Sequence, residues 1–221
     1  MTAASAITDR VADMHAAMAR KPPDEVMGAF GREQAALAAA GVPAGVASAG
    51  TRLADAGLLD VHGAPTSLYT AAGDGTAVVV FYRGVWCPYC NIALSVYQQH
   101  LLPELTDRGV RLIAISPQAP DGSLSVRDKH GLAFTVLSDP GNSVARGLGI
   151  LTRPSDEARA AQLKLGLDLT AVNADGTIGV PMPTVAILDG GHVLRWIDVH
   201  PDYSTRTEPA QVLSALDQLG I

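Results

Sequence analysis

A continuous run of β-branched and aromatic residues, Ala77-Val78-Val79-Val80-Phe81-Tyr82, leads within five residues to Cys87-Pro88-Tyr89-Cys90. Such a run predicts a strand buried on both faces, the habit of strands inside a covered parallel sheet. Pro88 fits the first position of a helix, where its missing N–H costs nothing. A helix is therefore expected to start at Cys87 and to continue from Ile92 to Asp107, kinked at Pro103. A second buried strand, Val110 to Ser116, follows it. Strand, helix and parallel strand in this order restrict the chain to an α/β layer architecture.

Further elements extend the pattern. Ser123 to His130 reads as a helix, Phe134 to Leu137 as a strand, Asn142 to Leu148 as a short helix and Arg153 to Lys164 as a charged helical insertion. Residues 166–180 read as loop. Thr184 to Leu188 and His192 to Val199 are strands joined by Asp189-Gly190-Gly191, a hairpin signal. The last helix, Glu208 to Leu219, has Thr207 as its expected cap, Pro209 in its first turn and Gly220 at its end. Upstream, Leu58 to Val61 and Leu68-Tyr69 form an expected hairpin of short strands. Residues 1–50 read as a helical arm, with an apolar stripe of Ile7, Val11, Met14 and Met18, a stop at Lys21-Pro22-Pro23-Asp24, and a second face of Val26, Phe30 and Leu37. The expected division is thus an arm over 1–50 and an α/β domain over 51–221, with the arm serving as packing.

Composition narrows the function. A formal net charge of −6 with no lysine or arginine run argues against nucleic-acid binding. No segment has the length and apolarity of a membrane span, and the N-terminus lacks the basic start and apolar core of a signal peptide, so a cytoplasmic protein without a membrane partner is expected. The chain has two cysteines, three residues apart. A bridge across one turn closes almost no loop, so such a pair is catalytic or metal-binding before it is structural. Zinc favours four ligands, and the six histidines supply no second pair. No metal and no cofactor is therefore expected. The reading from another class is a redox sensor or an iron–sulfur or metal-binding protein without turnover.

The chemistry follows from placement. A helix N-terminus stabilises an anion by up to about 2 kcal/mol, which takes a thiol from about 8.5 to roughly 7. Positions i and i+3 have Cα atoms about 5 Å apart, inside the disulfide window. Cys87 is expected to attack, and Cys90, one turn further in, to resolve. Trp86 is read as shaping the substrate surface. His100, His130 and His192 are read as surface or packing groups, His192 as solvated, and His200-Pro201-Asp202-Tyr203 as a structural corner.

The stretch Phe81-Tyr82-Arg83-Gly84-Val85-Trp86-Cys87-Pro88-Tyr89-Cys90-Asn91 resembles the CPYC-containing, peroxiredoxin-like branch of the alkyl hydroperoxide reductase/thiol-specific antioxidant (AhpC/TSA) family. Ile115-Ser116-Pro117-Gln118, Leu137-Ser138-Asp139, Pro183 to Asp189 and Asp202 to Pro209 resemble it as well. The resemblance implies a thioredoxin-like mixed sheet flanked by helices, with Cys87 at the peroxidatic position. It implies an antioxidant oxidoreductase acting on a hydroperoxide or disulfide, reset by an external dithiol such as thioredoxin or by glutathione, and it is compatible with a homodimer. Two positions depart from the family. Gly84 stands where typical members carry threonine, and Pro183 where they carry arginine, as in thioredoxins. Pro183 is therefore expected to be cis and to lie beside the cysteines. Arg83 is expected either to place a charge near the sulfur or to form a surface ion pair. With Arg83 as the main substitute for the missing charge, the departures predict a poor peroxidase relative to disulfide exchange.

Overall fold

A computed structural model describes residues 6–18 and 25–221. In chain order the elements are α1 (Ala6–Met18), α2 (Glu25–Ala40), β1 (Gly57–Leu59), β2 (Pro65–Ser67), α3 (Leu68–Ala72), β3 (Ala77–Phe81), α4 (Pro88–Val96), α5 (Leu102–Asp107), β4 (Arg111–Ser116), α6 (Pro120–His130), β5 (Thr135–Ser138), α7 (Ser143–Gly147), β6 (Leu151–Thr152), α8 (Asp156–Lys164), α9 (Leu169–Val172), β7 (Val180–Pro181), β8 (Thr184–Leu188), β9 (Leu194–Val199) and α10 (Pro209–Leu219). The expected helix stop at residues 21–24 lies outside the described residues.

Seven strands form one mixed sheet in the order β2-β1-β5-β4-β3-β8-β9. β3, β4 and β5 are parallel, whereas β8 runs antiparallel to β3 and β9 antiparallel to β8. All five residues of β3 are buried, and the period of two sends them to opposite sides. Val78, Val80 and Tyr82 pack with Cys90, Leu94, Val212 and Leu216 on one face. Val79 and Phe81 pack with Leu68, Val144 and Leu148 on the other. Helices therefore cover both faces, the α/β layering expected from the strand–helix–strand order and the thioredoxin-like arrangement that the family resemblance implied.

Several elements differ from the sequence reading. The long helix after the cysteines is split by a π-helical turn at Tyr97–Leu101, because Pro103 has no N–H for the carbonyl four residues back. Residues 166–180 are not all loop: Asp168 caps α9 by accepting from Thr170 N–H, and β7 pairs with β6. Glu208, not Thr207, caps α10, in a reciprocal capping box with Gln211. His192 is buried with φ +59°, stacked 3.7 Å from Tyr69, rather than solvated.

The arm is docked by specific contacts. Ile7 and Val11 enter the core as expected, but Met18 is exposed. On α2 the buried residues are Ala29 and Glu33, not the Val26, Phe30 and Leu37 stripe. The Glu208 carboxylate accepts from Ile7 N–H at 3.0 Å and Thr8 N–H at 2.8 Å, so one carboxylate serves the N-termini of both α10 and α1. On α2, Glu33 accepts from Ser155 N–H at 2.6 Å.

Candidate functional site

Cys87 is the N-cap of α4, and Pro88 occupies the first turn. The loop before it is fastened on both sides: Val85 N–H donates to Gln118 Oε1 at 2.7 Å and Asn91 Nδ2 donates to Val85 O at 2.8 Å. Gly84 has φ +148°, and a Cβ there would fall 2.4 Å from Trp86 Nε1 and 2.9 Å from Gln118 Oε1. The threonine of typical family members therefore does not fit this loop. The indole and the Gln118 amide fill its place.

Both sulfurs are buried, Cys87 at 1% exposure and Cys90 at 0%. Arg206 donates from Nη2 to Cys90 Sγ at 3.1 Å and lies 3.8 Å from Cys87 Sγ. Arg83 N–H donates to Cys90 Sγ at 3.4 Å. Burial opposes the charge on Cys90. The hydrogen bond from Cys87, the Arg206 charge and the Arg83 N–H outweigh it and bring Cys90 down to about 5. Cys87 is pushed well up by burial, then by its hydrogen bond to Cys90 and the neighbouring negative charge. The pair thus shares one proton, with the resting charge on Cys90. The sequence reading counted only the helix end; the structure adds a buried guanidinium that lies nearer the Cys90 sulfur than the Cys87 sulfur.

Arg206 is held from behind. Its Nη1 donates to Tyr203 O at 2.6 Å and Thr205 O at 2.5 Å. Tyr97 OH donates to Thr207 O at 2.7 Å. Asp198 accepts from Thr207 Oγ1 at 2.9 Å and contacts His200 Nε2 at 3.1 Å, so His200 braces the corner, whereas the corner's Tyr203 lies against Arg83 and lines the site. The cation expected to be missing is therefore present, supplied from the β9–α10 connection. The premise for a poor peroxidase fails on this point.

The remaining expected site residues divide. Arg83 is buried rather than in a surface ion pair, with its guanidinium 3.9 Å from the Tyr203 ring and 5.1 Å from the Trp86 ring. Trp86 is half-buried beside Cys87. Pro183 does neighbour Cys90 and Arg206, lining a small space of about 10 Å³ with them. Its peptide bond is trans, since no cis bond occurs among the described residues. The chain runs from β7 into β8 with Met182 N–H on Ile150 O and Thr184 Oγ1 on Met182 O, without a reversal at the proline.

Above Cys87 lies a cleft of about 240 Å³, and the arm forms part of its wall through Met18, Met27 and Phe30. Trp86 and Tyr89 form another part. Tyr89 OH meets His15 Nε2 at 2.9 Å and Gln34 Nε2 at 3.3 Å. The arm is thus part of the site, not packing alone. Cys87 opens to this cleft, whereas Cys90 does not line it. Among the described residues, no three His, Cys, Asp or Glu side chains converge as metal ligands.

Sequence reasoning missed Arg206, Tyr203 and Glu33 as site residues. Arg206 and Tyr203 fall in the Asp202–Pro209 stretch that carries the family resemblance, which was the one available signal.

Residues 49–197 match the family model described as AhpC/TSA family. Thiol-disulfide oxidoreductase ResA of Halalkalibacterium halodurans is 29% identical over 113 residues, 50% of this chain and 61% of that protein. Two Mycobacterium tuberculosis proteins named as peroxiredoxins are 32% identical over 72 residues, 33% of this chain and 45% of theirs. The chain therefore spans less than two thirds of the length of these curated relatives. The crystal structure of peroxidoxin BcpB from Mycobacterium tuberculosis superimposes with a TM-score of 0.59 at 18% identity, covering 78% of this chain and 96% of that one. A peroxiredoxin-like protein from Aquifex aeolicus gives 0.62 at 14%, covering 79% and 88%. At these identities the superpositions establish a shared fold.

Proposed function

The chain belongs to the AhpC/TSA family, and from that premise we propose that it is an antioxidant oxidoreductase that reduces a hydroperoxide at Cys87 and closes a Cys87–Cys90 disulfide. The observation that carries this reading is Arg206, a buried guanidinium within 3.1 Å of Cys90 Sγ and 3.8 Å of Cys87 Sγ. Charge grows on the leaving oxygen as an O–O bond breaks, and a fixed cation there is worth several kcal/mol, of order 10²-fold or more in rate.

The Cys87 thiol passes its proton to the Cys90 thiolate, which acts as the base. Cys87 sulfur attacks the terminal peroxide oxygen, the O–O bond breaks, and an alkoxide or hydroxide leaves beside Arg206. Cys90 returns the proton to that oxygen and becomes a thiolate again. It then attacks the Cys87 sulfenic acid, forming the disulfide and releasing hydroxide to the buffered solvent. Arg83 and Trp86 shape the approach to Cys87, and Pro183 backs Cys90. An external thiol resets the pair, and a reducing, cytoplasmic setting suits two free cysteines.

Disulfide exchange with a protein substrate fits less well, because Cys87 is 1% exposed under the arm and Pro183 is trans. Stopped-flow oxidation of the reduced protein by a hydroperoxide, beside oxidation by a small disulfide, tests the reading. Faster reaction with the disulfide overturns it.

A further inference from the structure

The cleft above Cys87 is far larger than a hydrogen peroxide molecule needs. An apolar cavity of about 150 Å³ holds a benzene ring, and this cleft measures about 240 Å³. It therefore has room for an aromatic or branched alkyl body of about ten heavy atoms. The walls suit such a body: Phe30, Trp86, Tyr89 and Tyr203 supply rings, and Leu167 an aliphatic side. Among the described residues, the exposed large apolar side chains are Met18, Met27, Val42, Leu163 and Leu165, and Met18, Met27 and Leu165 edge this cleft. Exposed apolar groups gathered at one mouth mark a binding surface, whereas scattered ones do not.

One side chain in this wall does not match the rest. Gln162 of α8 lines the cleft at 3% exposure, and its Oε1 is buried without a hydrogen-bond partner. A buried polar atom left unpaired costs stability, and apolar clefts use a few such groups to orient a ligand. A hydroxyl both donates and accepts, so it pairs with either end of the amide. The other unpaired polar atoms here are placed differently. Trp86 Nε1 lies over Gly84, against the position a Cβ would take. Arg83 also lines a second space, of about 10 Å³, together with Glu33. An acid thus sits on the same small space as this cation, and the cleft does not call for an anion.

We propose that the substrate is an organic hydroperoxide with two further parts: an apolar body, aromatic or branched, that fills the cleft, and a neutral hydroxyl that pairs with Gln162. The proposal rests on the peroxidase reading of Cys87 and deepens it. Hydrogen peroxide leaves the cleft unfilled and the amide unpaired. Binding made equally in the ground and transition states lowers KM and raises kcat/KM, so the preference appears in the second-order rate constant. Met18, Met27 and Phe30 belong to the arm, which precedes the residues 49–197 that match the family model. The arm and Gln162 are thus specificity determinants of this chain, acting on binding and not on bond breaking.

The test uses the full reduced chain and three probes: hydrogen peroxide, cumene hydroperoxide, and cumene hydroperoxide bearing a para 2-hydroxypropan-2-yl group. Each second-order rate constant from stopped flow is divided by that of free 2-mercaptoethanol thiolate, which removes intrinsic peroxide reactivity. Each buried methylene multiplies affinity about fourfold, so cumene hydroperoxide should exceed hydrogen peroxide by at least about tenfold. Pairing the buried amide should give the hydroxylated probe about a further tenfold. Gln162→Leu, close in volume, should remove that second factor. Leu165 is 63% exposed, so Leu165→Asp leaves the core intact, and it should cut the first factor by about fivefold. A hydrogen peroxide rate equal to or above that of cumene hydroperoxide overturns the proposal. So does a hydroxylated probe no faster than its parent, or an advantage that Gln162→Leu leaves intact. Should Gln162→Leu fail to fold, the ranking of the probes and Leu165→Asp decide. Reduced protein that consumes none of the three probes refutes the peroxidase reading itself, whereas consumption without the ranking refutes only the proposal.

Discussion

The Arg206 guanidinium donates to Cys90 Sγ at 3.1 Å across 116 residues of chain. The same nitrogen lies 3.8 Å from Cys87 Sγ, so one buried cation faces both sulfurs.

Replacing Arg206 with methionine should raise the first ionisation of the cysteine pair and slow peroxide reduction by about 10²-fold, the scale of losing one preorganised charge donor. Arg206→Lys should recover part of the rate. Thiolate absorbance against pH and single-turnover oxidation check both. An unmoved titration would remove Arg206 from the mechanism.

Cys90 is held down to about 5 against an ordinary value of 9.0. A group depressed in the folded state contributes stability above its unfolded value and loses it as pH falls through its folded value. The reduced protein should therefore gain stability between about pH 5 and pH 9, and Arg206→Met should flatten that gain. Above that window the raised Cys87 works in the opposite direction. Denaturant midpoints measured against pH under reducing conditions report the slope.

Cys90→Ser should leave Cys87 open to the cleft and beside Arg206, so one oxidation proceeds and stops at a sulfenic acid. Cys87→Ser leaves a thiolate with no opening to the cleft. Alkylation of Cys90→Ser should exceed that of Cys87→Ser by more than about tenfold, as access and thiolate character together set thiol reactivity. Equal rates in a mass-resolved time course would count against the assigned roles.

Gly84→Thr, which restores the residue of typical family members, should destabilise the protein by about 1–3 kcal/mol, the cost of forcing a side chain into a strained backbone region. It should not speed peroxide reduction, because the new Cβ displaces Trp86 and Gln118. Equilibrium unfolding and the single-turnover rate are the two readouts.

Glu208→Ala removes the acceptor shared by the N-termini of α1 and α10. A loss of about 1–2 kcal/mol is expected from the caps. Hydrogen exchange should rise in α1 more than in β3, since α1 is held at the edge of the fold. Uniform exchange across both would show that the arm does not depend on this carboxylate.

The local pattern was legible from sequence because it is written at short range. The run Ala77–Tyr82 is apolar at every position, so it demands burial on both faces, and it became the central strand β3. Pro88 fits only a first helical turn, so Cys87 at the cap and Cys90 one turn inward were readable from spacing. The hairpin at Asp189 and the stop at Gly220 followed from periodicity and turn residues in the same way. The chemistry of the pair was not legible at this level. Arg206 looks like any other cation in the sequence, and its burial against the sulfurs depends on Tyr97, Asp198 and two backbone carbonyls closing around the β9–α10 connection. Glu33 and part of the cleft wall come from an arm whose sequence reads as packing. Sequence alone thus determined that two thiols stand at a helix start after a buried strand. Tertiary structure decided which thiol holds the charge and what can reach it, because charge stabilisation and access depend on distances in space that chain spacing does not encode.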